Sequence, residues 1–242
     1  MLGNMQIYRF MLLYWKVVRA NRTLRIVLLL MAAALTISQP WYASDPYETI
    51  YSGTSWFYLT SGLIAGFLIL CWNIYDISGK QGVIISIGKR SDIAVDIFLL
   101  VLMTAVISSI VYMIIFYGAA VCFSGSMVFP LMSPLMSAVL LGIYVCFCGM
   151  CFFIIAEISD RPAAAFLTVI MFPGADFVCS MIKGSPLLLK YVFPPETLLH
   201  VGYVTFITGG AVLTASALLV FIVFAAVIAR KDFISGENGK NE

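Results

Sequence analysis

Long apolar runs separated by short polar breaks are the feature that most narrows what this chain can become. Ile93 to Cys122 is the longest, and Val204 to Ala229 carries no charged residue. A bilayer's hydrocarbon core takes only about 20 helical residues to cross, and inside it only helices or closed barrels satisfy their backbone groups. With 62% hydrophobic and 11% charged residues over 242 positions, the sequence reads as one all-α membrane domain. Little polar mass remains for a separate soluble catalytic domain.

Six spans are expected, at 24–42, 56–72, 93–122, 133–156, 163–182 and 204–229. Pro40 ends the first, and Trp41, Tyr42, Tyr47 and Tyr51 form an aromatic belt beside it. The fifth is expected to be disturbed at Pro173–Gly174. Residues 5–22 are not a span, because charges recur through them. Projected at about 100° per residue, Gln6, Arg9, Lys16 and Arg19 gather on one side, while Ile7, Phe10, Met11, Tyr14, Trp15 and Val18 cover much of the rest. That pattern is a basic amphipathic helix for the membrane surface. Positive charge also interrupts the beginning of the chain too often for a cleavable signal.

The polar island from Cys71 to Asp96 organises the reading. It holds Lys80, Lys89 and Arg90 beside Asp76, Asp92 and Asp96, with an apolar centre at Gln81–Ile87 suited to a short helix. Arg9, Lys16, Arg19, Arg22, Arg25, Lys80, Lys89, Arg90, Arg161, Arg230, Lys231 and Lys240 share the side of the termini; only Lys183 and Lys190 lie opposite. The excess of basic residues puts that side in the cytoplasm, with the island and the tail 230–242.

Catalytic constellations are sparse. Gly82–Arg90 imitates a phosphate loop, but it has one residue too many between its glycines, and Arg90 stands where a magnesium-binding hydroxyl belongs. Cys148 and Cys151 form a lone CxxC within a span and read as small apolar filler rather than a redox pair. His200 is the only histidine, so no His-based metal cluster is available. Ser124–Gly125–Ser126 lacks a base at membrane depth. The six cysteines sit in or beside apolar runs and define no disulfide framework. Asp176 is the ionisable residue nearest membrane depth, and a break at Pro173–Gly174 would bring it to the outer interface. Asp96 and Glu157, near cytoplasmic ends of spans, read as interfacial anchors.

The layout resembles the permease subunits of ABC-2 type ABC transporters. The likeness rests on the basic amphipathic start, the charged first inner loop, the segment Tyr191–Glu196 before the last span, and the closing Ala229–Phe233. It implies an elbow helix at 5–22 with Arg9, Lys16 and Arg19. It implies a coupling helix in the loop 79–90, formed by Gly79, Lys80, Gln81, Val83, Ile84, Ile85, Ile87, Lys89 and Arg90. Short re-entrant outer helices would make a gate with Asp176, Phe193, Pro194, Pro195 and Glu196. The chain itself is then no enzyme and holds no cofactor; ATP and magnesium sit on a separate ATP-binding cassette subunit. A second permease, identical or homologous, completes the path across a bacterial cytoplasmic membrane, and no nucleic acid is involved. Antimicrobial peptides, as in bacteriocin immunity, are the first substrate class, ahead of drugs and lipids. The alternatives are the substrate-binding membrane subunit of an energy-coupling vitamin importer and a non-transport assembly protein.

Overall fold

The computed structural model describes residues 59–78, 90–124, 132–175, 178 and 203–230. These are almost entirely helical. A π-helical turn, Leu59–Ile64, leads into α1, Ala65–Ser78; α2 is Arg90–Ser124, α3 Met132–Ser159, α4 Pro162–Ile170 and α5 Tyr203–Arg230. Proline explains much of the punctuation. None falls within α1, α2 or α5, Pro134 stays in the first turn of α3, and Pro162 opens α4, where a missing N–H costs nothing.

Among the described residues, three helices are long and apolar enough to cross a bilayer: Ile93–Ile115 within α2, Leu135–Ser159 within α3 and Phe206–Arg230 within α5. A membrane-embedded all-α protein follows from their length and composition. Gly62–Ser78 and Pro162–Ala175 are shorter apolar helices. The expected span 24–42 and the amphipathic helix 5–22 lie outside the described residues, so six spans remain part of the functional proposal.

Two local differences from the sequence expectation have physical causes. First, α1 does not stop at Trp72 but runs on to Ser78. Asn73 donates back to the Ile69 carbonyl at 2.7 Å, and Ser78 to the Tyr75 carbonyl at 2.9 Å. Those side chains are thus satisfied inside the helix. Together with α2 starting at Arg90, this trims the polar island to 79–89. Second, the fifth apolar stretch breaks at Met171, two residues before Pro173. The Met171 N–H turns back to the Thr168 carbonyl at 3.3 Å, and a further turn closes from Ala175 to Met171 at 2.9 Å. Proline acts backwards: it clashes with, and cannot donate to, the carbonyl four residues earlier, here that of Val169.

The three long helices differ in how much of their spanning window is buried: 67% for α3, 39% for α2 and 22% for α5. The first is therefore the centre of the bundle and the last its rim, with α1, α2, α4 and α5 all packed on α3. Between helices in lipid, close packing of small residues supplies much of the cohesion. Gly149 provides it here. A methyl group placed on it would lie 2.8 Å from Phe67 Cε1 of α1 and 2.8 Å from Val101 Cγ1 of α2, so three helices meet at that glycine. The outward apolar side chains of α2 and α5, such as Ile107, Ile114, Ile207, Leu219 and Ile222, are more than half exposed. In a water-soluble monomer they would form a large apolar patch; here they suit lipid.

The α3–α4 connection is a tight turn. Asp160 takes φ 51°, a left-handed conformation that costs most L-residues roughly 1–2 kcal/mol and that Asp and Asn tolerate best. Ser159 Oγ donates to the Ile155 carbonyl at 2.6 Å and accepts the Arg161 N–H at 3.3 Å. Asp160→Val should therefore lower stability by about 1–2 kcal/mol, while Asp160→Asn leaves it nearly unchanged. Thermal unfolding of the two variants in one detergent checks this; equal midpoints would refute it.

Candidate functional site at the polar end of the bundle

Five helix ends and the Asp160–Arg161 turn come together at one end of the bundle. There α1 and α3 finish, α2 and α4 begin, and α5 ends at Arg230. Ring contacts tie these ends. Trp72 of α1 lies 6.3 Å from Phe166 of α4. Tyr75 meets Phe152 at 6.5 Å and Phe153 at 6.2 Å on α3. Phe153 continues to Phe224 of α5 at 5.9 Å, and Phe98 of α2 sits 4.6 Å from Phe221 of α5. Each such pair adds about 0.5–1.5 kcal/mol beyond its burial. The aromatic layer joins all five helices just inside their polar ends.

The segment 79–89 leaves from Ser78 and returns at Arg90 on this same end. Of the expected coupling residues, Arg90 is the first residue of α2; Gly79, Lys80, Gln81, Val83, Ile84, Ile85, Ile87 and Lys89 lie outside the described residues. So do the elbow residues Arg9, Lys16 and Arg19 and the gate residues Asp176, Phe193, Pro194, Pro195 and Glu196. The structure thus describes the helix ends that segment 79–89 connects. Arg161 and Asp160 are exposed beside them, as is Asp76 near the end of α1.

Asp96, expected to be an interfacial anchor, lies in the second turn of α2. It is buried at 8% exposure, beside Ile93 and Ile97 at 4% and 3%. Its spacing from apolar neighbours at 93 and 100 was the available signal, since residues three or four apart share a helix face. Glu157 is half-buried near the end of α3.

The remaining polar groups are dispersed. Cys71, Cys146 and Cys148 are buried free thiols and Cys151 is half-buried. Among the described residues no group of three or more His, Cys, Asp or Glu side chains is arranged to hold a metal ion. Thr104, Thr168 and Ser216 each donate to the carbonyl four residues earlier, at 2.7, 2.8 and 2.9 Å. Ser109 differs: its Oγ is buried without a hydrogen-bond partner, in the α2–α3 seam opposite Gly142.

Among the described residues the arrangement consists of five helix ends joined by aromatic rings, with a short segment charged at both ends attached to two of them. Comparison with family models, curated proteins and solved structures gives no match.

Proposed function

We propose that this chain is the membrane permease subunit of an ATP-driven exporter of ABC-2 type. The observation that carries the reading is the placement of segment 79–89. It is short, charged at both ends and apolar in the middle, and it joins two helices that enter the aromatic layer directly. A partner pressing on it would tilt α1 and α2 as levers rather than bend a loose loop. Such a segment is of little use to a chain acting alone, because Val83, Ile84, Ile85 and Ile87 need burial against something.

In this reading residues 5–22 form the elbow helix at the cytoplasmic surface, and both termini are cytoplasmic. The stretch from Asp176 to Glu196 forms the outer gate. ATP and magnesium belong to a separate cassette subunit, whose closure drives rigid-body motion of the spans. A second permease completes the path. The substrate is amphipathic or hydrophobic, with antimicrobial peptides the first class to test, and the membrane is the bacterial cytoplasmic membrane.

The test is isolation of the tagged chain from native membranes in mild detergent. An ATP-binding subunit should accompany it in near-stoichiometric amount, and the chain purified away from that subunit should bind no ATP. Stoichiometric ATP binding by the isolated chain, or its isolation with no ATP-binding subunit, would overturn the proposal.

A further inference from the structure

Two glycines of α3 face α2, and their packing differs. At Gly149 it is tight, since an added methyl group would sit 2.8 Å from Val101 of α2 and from Phe67 of α1. Gly142 lies two turns earlier in α3, about 10 Å farther from the polar end. There the methyl would meet Val106 Cα at 3.5 Å, Val106 Cγ2 at 3.6 Å and Ser109 Oγ at 3.8 Å, which is ordinary contact. The tight point shares its half of α2 with the Phe98–Phe221 ring pair at 4.6 Å. Toward its Arg90 end, α2 is therefore fastened to both α3 and α5. Beyond Gly149 it is packed on α3 with less constraint.

Ser109 marks the looser point. It is 0% exposed, and its Oγ has no hydrogen-bond partner. A hydroxyl inside a helix usually bonds to the carbonyl four residues earlier, as Thr104, Thr168 and Ser216 do. Ser109 leaves that option, the Ala105 carbonyl, unused. A dry, unpaired hydroxyl in an apolar seam is destabilising. The need for a small side chain does not explain it, because alanine is as small; Ala105, one turn away, is also 0% exposed. The facing Gly142 has no side chain to supply a partner. Ser109 lies six residues from Ile115, the end of the spanning stretch, a rise of about 9 Å. Water thus has a short way to come from the end of the bundle opposite the polar one.

We infer that α2 and α3 part on the far side of Gly149, with the Gly149 contact as fulcrum, and that Ser109 is hydrated in the parted arrangement. Parting gives up ordinary contacts at Gly142 and gains a hydrogen bond from water. The fastened half, with its aromatic layer, stays as it is. The inference rests on helix packing and stands whether or not the chain is a permease.

The test has two readouts, and neither needs an ATP-binding subunit. The first is thermal unfolding of the full-length chain in detergent. Ser109→Ala should raise the midpoint by about 2–4 °C, because it removes the unpaired hydroxyl. Ser216→Ala has the same gain in helix propensity but a hydrogen bond to lose, and should not raise it. The second is labelling in membranes, with the native cysteines replaced, by a charged, membrane-impermeant methanethiosulfonate. Ser109→Cys should react at least about tenfold faster than Ile107→Cys, since the reactive species is a hydrated thiolate and Ile107 is 57% exposed on the outer surface of the bundle. Adding Gly142→Leu should wedge the seam apart and speed the reaction at Ser109→Cys further, with the chain still accumulating as folded protein. A Ser109→Ala midpoint no higher than that of the unaltered chain would overturn the inference. So would labelling of Ser109→Cys no faster than of Ile107→Cys, or failure of Gly142→Leu to accumulate, which would make the Gly142 contact as tight as that at Gly149.

Discussion

Gly149→Leu should abolish accumulation of folded protein, and Gly149→Ala should destabilise it markedly. Even the first added carbon meets Phe67 Cε1 and Val101 Cγ1 at 2.8 Å and Phe67 Cζ at 2.9 Å, well inside the roughly 3.5–4.0 Å of a favourable carbon contact. Neither neighbour can withdraw easily, because Phe67 and Val101 are buried at 1% and 0% exposure. Overpacking of this kind costs about 1–3 kcal/mol, more than the helix-propensity gain of about 1 kcal/mol from replacing glycine by alanine. The longer leucine would force α1 or α2 off α3. Gly142 is the control. A methyl there meets Val106 and Ser109 no closer than 3.5 Å, so Gly142→Ala should be neutral or stabilising. Thermal unfolding of both alanine variants in the same detergent decides: equal midpoints would mean that the three-helix contact at Gly149 is not tight. Shortening the opposing ring, Gly149→Ala with Phe67→Leu, should recover part of the loss.

If the chain is the proposed permease subunit, changing Ile84 and Ile85 together to Asp should release its ATP-binding partner while leaving the chain in the membrane. Burying an isoleucine stabilises by roughly 1.5–3 kcal/mol. Losing two from a docking surface therefore weakens a micromolar contact more than about a hundredfold at 1.4 kcal/mol per decade. Neither residue belongs to a described helix, and the helix ends that segment 79–89 connects are held by Tyr75, Phe98, Phe153 and Phe221. Insertion and packing should then survive. The measurement is co-purification of the ATP-binding subunit with wild-type and double-variant permease at equal membrane levels. Undiminished recovery would place the docking surface elsewhere.

The sequence made α2, α3 and α5 legible because each is an apolar run with no proline past its first turn, bounded by charge, serine, glycine or proline. It hid the end of α1, where Asn73, Asp76 and Ser78 look like a loop. Asn73 and Ser78 are satisfied by the helix's own carbonyls, and Asp76 points outward. The α4 break was legible in kind but displaced, since Pro173 acts on the turn before it. The tight contact at Gly149 was not legible at all. Gly142 and Gly149 look equivalent in sequence, and only the arrival of Phe67 and Val101 distinguishes them. The same holds for Asp96: periodicity gives its face, but burial depends on what lies across that face. The candidate site was readable as a distribution of charge, whereas the aromatic layer that stiffens its base needs partners from five helices.

The irregular turn at Met171 has a consequence for reach. Helical hydrogen bonding resumes beyond it, from Ala175 to Met171, so the apolar helix Pro162–Ala175 rises about 21 Å. A hydrocarbon core is about 30 Å thick. By itself this helix therefore falls short of a crossing, whereas α2, α3 and α5 are each long enough to complete one.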